Sequence, residues 1–194
     1  MGVDVVVLIA EWEPLVDATR QSGGFDFYWD AARAASDALG DRDWSEREPA
    51  LPYTTEYDSA DMLLSGRYLF CAYAYYDYLT DHLPEDVMRV ADSFFDMVVA
   101  DHGKHADDLA ADAGLDGTPD RMYTMRPATV RTALARADQV PWNKLEQHGD
   151  QLDPFEYTPY TYDYGSFHNL VEVHLGFLKE AAEAGRGLVV IASW

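Results

Sequence analysis

Two histidines three residues apart are the chain's best candidates for metal ligands. His102 and His105 are followed by two carboxylates, Asp107 and Asp108. On a helix, residues three apart share a face, and two imidazoles with a carboxylate suit zinc or iron. The alternative is a polar helix end that Gly103 terminates, with the histidines near the negative end of the helix dipole. Because a third placed ligand is missing from the pattern, we predict no metal and no cofactor, and keep His102 and His105 as weak candidates.

A further histidine, His168, has a carboxylate four residues on, at Glu172. A general base oriented by a carboxylate would show this spacing. An ordinary pair on a helix surface, with a contribution of about 0.3 kcal/mol, would show it too, and we favour that interpretation. His174 lies on the apolar stripe of the same predicted helix, where we expect a core histidine with one hydrogen bond.

Arg67 stands in the most apolar long segment of the chain, residues 61–79. A buried guanidinium must be paired, because an unpaired buried charge is very costly. Asp77 lies ten residues on, too far along a helix to be its local partner. Arg67 therefore either forms a buried ion pair with one of the many other carboxylates, which we favour, or faces a cavity and holds a ligand carboxylate or phosphate.

Aromatic residues are dense in residues 153–164, which we predict to be a long loop. Tyrosine supplies a large contact area with few rotatable bonds and is common in binding surfaces. On an extended strand, Tyr160, Tyr162 and Tyr164 would share one face. The alternative, which we slightly favour, is a loop that packs its rings against the body of the protein. The predicted binding residues are Arg67, Tyr157, Tyr160, Tyr162, Tyr164, His168 and Glu172.

The charge balance restricts the class of partner. Thirty-five acidic residues face 14 basic ones, for a net charge of -21. Such a surface repels phosphate backbones and anionic membranes, so we predict no nucleic-acid partner and no membrane. The chain shows no leader pattern, which favours a cytoplasmic location. The charge is either a solvated surface typical of a salt-adapted or high-GC proteome, which we favour, or a face that binds a basic protein partner.

Two apolar, β-branched runs, residues 3–10 and 187–192, are typical of strands covered on both faces, and we predict that they pair in one sheet. Residues 41–57 are predicted to be a loop, because prolines and mixed charges interrupt them. Helices are predicted over about residues 13–20, 27–39, 61–79, 85–102, 127–137, 141–148 and 166–184, with a short one after 107. The fold class is therefore α+β: a predominantly helical single domain over residues 1–194, with a small sheet containing the N- and C-terminal strands.

Three pieces of the chain carry a family resemblance. They are the Met1-Gly2 start that runs directly into a strand, the helix opening over residues 126–130, and the terminal helix-to-strand unit over residues 168–193. With these pieces, about a third of the chain, the protein resembles the YfbM-like family of uncharacterised bacterial proteins. The middle departs from that family, where residues 63–66 align only loosely. The resemblance implies an α+β fold and brings no activity and no catalytic residues.

Three hypotheses for function follow. The first is a non-enzymatic protein-interaction or inhibitor-type module that binds a basic partner. The second is a small-molecule binder or enzyme with Arg67 in a pocket, and the third is a metal protein that uses His102 and His105. The sequence contains no phosphate-binding loop, no His-Glu-x-x-His and no Gly-x-Ser-x-Gly. The net charge of -21 and the aromatic residues 155–164 favour the first hypothesis.

Overall fold

The N- and C-terminal strands pair with each other at the centre of a sheet. In the computed structural model, which describes residues 4–25, 54–57, 69–98, 106–119, 122–157 and 160–193, strand β1 (Asp4–Ala10) runs antiparallel to strand β6 (Gly187–Ser193). Their register places Asp4 opposite Ser193 and Ala10 opposite Gly187. The predicted pairing of the two apolar runs is therefore confirmed.

Two shorter strands flank this pair and complete a four-stranded antiparallel sheet. The order is β2-β1-β6-β3, with β2 at Thr54–Tyr57 and β3 at Met122–Met125. The prediction of a loop over residues 41–57 is wrong for the last four residues. They form the edge strand β2, because two threonines and a tyrosine favour extended backbone and β1 offers a free edge to pair with.

The sheet is buried on both faces, which explains why its central strands are apolar without alternation. Along β1, Val7 and Ile9 join the larger hydrophobic cluster, whereas Leu8 joins a second, smaller cluster on the opposite face. Along β6, Val190 and Val189 divide in the same way. Successive side chains of a strand point to opposite faces, so a strand with cores on both sides needs apolar residues at every position.

Helices cover the two faces unequally. In the part of the chain that the structure describes, the helices are α1 (Trp12–Ser22), α2 (Leu69–Thr80), α3 (Glu85–Val98), α4 (Asp108–Ala113), α5 (Pro127–Ala137), α6 (Trp142–Gly149) and α7 (Tyr164–Glu183). Leu15 of α1 and Leu109 of α4 belong to the smaller cluster. The other five helices contribute to the larger cluster, in which α7 is the longest element. The α+β class predicted from the sequence is confirmed.

The long C-terminal helix begins earlier than its predicted start near residue 166. Asp163 precedes it, and its Oδ1 accepts a hydrogen bond from the backbone N–H of Ser166 at 2.6 Å. An aspartate at this position satisfies one of the unpaired donors of the first turn, so the helix includes Tyr164. Its predicted apolar stripe is buried at Phe167, Val171, His174, Leu178 and Ala181.

The prediction of a loop over residues 153–164 is wrong. Strands β4 (Phe155–Tyr157) and β5 (Tyr160–Tyr162) form a separate antiparallel hairpin, in which Phe155 lies opposite Tyr162. Alternating aromatic and polar residues suit this arrangement, because one face can pack on the core while the other meets water. Of the helices that the structure describes, none combines the length and apolar character that crossing a membrane requires.

Candidate functional site

Three of the predicted binding residues lie on successive turns at the start of α7. Tyr164, His168 and Glu172 are spaced by four residues, so they follow one face of the helix. The short helix α6 ends close to this face, where Gly149 lies against the ring of Tyr164. The junction of α6 and α7 is therefore the region in which the structure brings the predicted residues together.

His168 is held between two aromatic rings. It stacks on Tyr164, with ring centroids 5.7 Å apart and planes at 18°. Its edge meets the indole of Trp142 at 6.0 Å and 67°. The His168 side chain is still 35% exposed, so part of the ring faces solvent. Its Nδ1 atom is buried and has no hydrogen-bond partner among the described residues.

The predicted pairing of His168 with Glu172 is present on the helix surface. His168 Nε2 lies 3.8 Å from Glu172 Oε1, and the Glu172 side chain is 53% exposed. This distance is too long for a hydrogen bond, whereas a carboxylate that orients a general base would accept one from the imidazole. The geometry thus fits the favoured interpretation of a surface ion pair, whose contribution is a few tenths of a kcal/mol, about 0.3.

Trp142 is a residue of this site that the sequence analysis did not identify. Its indole N–H donates to the Ala137 carbonyl at 3.1 Å, and its own carbonyl accepts a hydrogen bond from the Tyr164 hydroxyl at 3.1 Å. Phe94 and Phe95 pack edge-on against the same indole. These contacts fix the orientation of the half-buried ring. A large aromatic residue in the first turn of an otherwise polar helix, next to Pro141, was the available signal.

Tyr162 and Tyr164 are core residues, as the packed-loop alternative predicts, and they do not present the contact face for which they were named as binding residues. Tyr162 is 1% exposed and Tyr164 is 6% exposed, because the hairpin and the start of α7 turn both rings inward. Burial raises the pKa of the Tyr164 phenol, and the carboxylates of Glu146 and Asp150 raise it further. Tyr157 and Tyr160 lie in the hairpin, and their side chains are outside the described residues.

Carboxylates lie near two buried phenols at the junction, Tyr75 and Tyr164. Burial raises the pKa of the Tyr75 phenol to about 12, and the charges of Asp163 and Asp150 contribute to this shift. Asp150 also acts on Tyr164, so these carboxylates surround one group of phenols. We call the set of exposed and half-buried residues here the α6–α7 surface: Trp142, Glu146, Asp150, Asp163, His168 and Glu172.

The chemistry of the α6–α7 surface suits a cation. The faces of aromatic rings attract ammonium and guanidinium groups, and nearby carboxylates accept charge-assisted hydrogen bonds from them. Glu146 and Asp150 have no ion-pair partner among the described residues, so both carboxylates can accept such bonds.

Arg67, His102 and His105 lie outside the described residues. Within the described ranges, no group of three or more His, Cys, Asp or Glu side chains is arranged to hold a metal ion. His174 is fully buried, and the Tyr123 hydroxyl lies 3.2 Å from its ring nitrogens, which confirms it as a hydrogen-bonded core histidine.

Comparisons of the chain with protein-family models, with curated proteins and with solved structures found no match. The resemblance to the YfbM-like family therefore stays a prediction from the sequence.

Proposed function

We propose that the protein is a non-enzymatic protein-interaction module whose α6–α7 surface binds a basic protein partner. The observation that carries this proposal is the contact of the half-buried Trp142 and His168 rings beside three carboxylates: Glu172 lies 3.8 Å from His168, and the charges of Glu146 and Asp150 act on the adjacent Tyr164. The proposal keeps two predictions from the sequence: a cytoplasmic location, from the absence of a leader pattern, and the exclusion of nucleic-acid partners, from the charge balance.

The aromatic part of this surface would supply affinity. Tryptophan is one of the residue types that dominate binding energy at interfaces, particularly where it sits in a well-packed surround. The Trp142 indole is already fixed by its hydrogen bond to the Ala137 carbonyl and by the edge-on rings of Phe94 and Phe95, so binding would cost it little side-chain entropy. An arginine of the partner, desolvated against this ring, would gain on the order of 2 kcal/mol from the cation–π interaction.

The carboxylates would supply orientation and a fast association rate. Exposed charges contribute more to steering and specificity than to affinity, and a net charge of -21 gives a strong long-range field. That field is screened within about 8 Å at physiological ionic strength, so binding must weaken as salt rises.

Affinity capture tests this proposal. The tagged protein is incubated with lysate of its own host and washed at low and at moderate salt, and the retained proteins are identified by mass spectrometry. We expect one basic protein in stoichiometric amount that is released as the salt concentration rises. Two outcomes would contradict the proposal. In the first, no basic protein is retained at either salt concentration; in the second, the retained partner binds equally well at both.

A further inference from the structure

A groove on the outer face of α5 differs in charge from the rest of this acidic protein. Its volume is about 660 Å³, and it lies between α5 and Ser93 of α3. The side chains from α5 recur every three or four residues, as expected for one face of a helix. The polar ones are Arg131, Thr132 and Arg136, with Gln139 just beyond the helix end.

No carboxylate is among the described residues that line this groove. Three other described arginines pair with acidic side chains: Arg20 with Asp17 at 2.7 Å, Arg126 with Asp108 at 2.9 Å and Arg186 with Glu11 at 3.2 Å. Arg89, an exposed residue of α3 that does not line the groove, forms no ion pair with the described residues. Arg131 and Arg136 form no ion pair with the described residues, although carboxylates outnumber basic side chains by 35 to 14 in the chain. Two guanidinium groups are thus left to line one groove.

One of the two guanidinium groups is held in place. Arg136 Nη1 donates to the backbone carbonyl of Ser93 at 2.8 Å, which ties α5 to α3 and leaves the other N–H groups of Arg136 for a ligand. The Thr132 hydroxyl donates to the Ala128 carbonyl at 3.0 Å, which fixes its rotamer. The groove therefore has one preoriented cationic group and one exposed one, Arg131.

We propose that the α5 groove binds a small phosphate-bearing molecule. The planar guanidinium group matches the geometry of phosphate oxygens and can donate two parallel hydrogen bonds to them. The volume falls within the range of roughly 300–1,000 Å³ that is typical of small-molecule sites. The apolar residues of the groove are only Ala128 and Ala135, which offer too little surface to anchor a helical peptide.

The net charge of the protein does not prevent this binding. The long-range repulsion of an anion is screened within about 8 Å at physiological ionic strength, whereas direct contacts with arginine are screened much less. The α5 groove and the α6–α7 surface share no residue, so this inference stands independently of the proposed function.

Isothermal titration calorimetry with pyrophosphate in 0.15 M NaCl tests the site. Arg131→Gln is compared with Arg20→Gln, which removes the same charge from an exposed arginine on α1. We expect wild type and R20Q to bind alike, and R131Q to bind at least about tenfold more weakly, the loss expected for one charge-assisted hydrogen bond. Arg136→Lys keeps the charge and removes the planar group, and we expect it to weaken binding with an unchanged circular dichroism spectrum.

Three results would overturn the proposal. The first is the absence of pyrophosphate binding to the wild type at millimolar concentration. The second is an equal affinity of R131Q and R20Q, which would place any binding elsewhere. The third is tighter binding of succinate than of pyrophosphate, which would assign the groove to dicarboxylates.

Discussion

The ring of Tyr164 lies against Gly149 so closely that a β-carbon at Gly149 would be 2.8 Å from Tyr164 Cβ and Cδ2. This contact joins the end of α6 to the start of α7 and thereby sets the distance between Trp142 and His168. Glycine is required at position 149 by this close approach, since its backbone is otherwise ordinary helix.

Substitution Gly149→Ala tests this contact. We expect it to lower the free energy of unfolding by about 1–3 kcal/mol, because an added methyl group in a packed interface forces neighbours out of place. Gly176→Ala is the matched control, since Gly176 is exposed within α7 and a β-carbon there meets nothing within 4 Å. That control should stabilise the protein by about 0.4–1 kcal/mol. The free energy of unfolding of both variants is measured in urea. An equal change in the two variants would show that the contact at Gly149 is not tight.

Burial of His174 makes the stability of the protein depend on pH. Desolvation lowers the pKa of His174 from 6.5 to about 3 in the folded state. Between these values the unfolded chain binds a proton that the folded protein does not, so stability is lost as pH falls from about 6.5 towards 3. Well above pH 6.5 the unfolded chain also leaves His174 unprotonated, so this residue then contributes no pH dependence.

The contribution is measured as a difference in slope between wild type and His174→Gln. Unfolding by urea is measured between pH 6.5 and 5. As the pH falls, we expect the equilibrium constant for unfolding of the wild type to rise more steeply than that of H174Q, by a factor of up to about ten for each pH unit. Tyr123→Phe should keep the wild-type slope, because it removes only the hydroxyl partner and leaves His174 buried. A slope that is the same in wild type and H174Q would show that His174 does not titrate in this way.

A hydrogen bond between Tyr76 and Asp92 joins α2 to α3. The Tyr76 hydroxyl donates to Asp92 Oδ1 at 2.7 Å, and burial together with this carboxylate raises the pKa of the phenol. We expect Tyr76→Phe to lower the free energy of unfolding by about 1–2 kcal/mol, since the bond has a charged acceptor. Asp92→Asn keeps a hydrogen-bond acceptor, so it should lower the free energy of unfolding by less than Tyr76→Phe does. Thermal unfolding that ranks the two variants the other way would contradict this account.

The sequence predicted those features that depend on local signals. The strands at both ends follow from apolar runs, α5 begins at Pro127, and the His168–Glu172 pair follows from helical spacing. These features need no knowledge of what lies across the fold.

The remaining features depend on contacts between distant segments. The hairpin β4–β5 was missed because cross-strand pairing, such as Phe155 with Tyr162, has no local signature in a short aromatic run. Trp142 was missed because its role comes from packing on His168, which is 26 positions away in the sequence. Burial of Tyr162 and Tyr164 likewise follows from how the hairpin docks on the larger core cluster.

The most direct test of the proposed function compares two pairs of substitutions in the capture experiment. Glu146→Gln with Asp150→Asn removes two charges from the α6–α7 surface, whereas Glu180→Gln with Glu183→Gln removes two from the exposed far end of α7. The net charge changes equally in both. We predict that the basic partner is lost from the first variant and retained by the second at the same salt concentration. Equal retention by both variants would contradict the claim that the α6–α7 surface is the binding site.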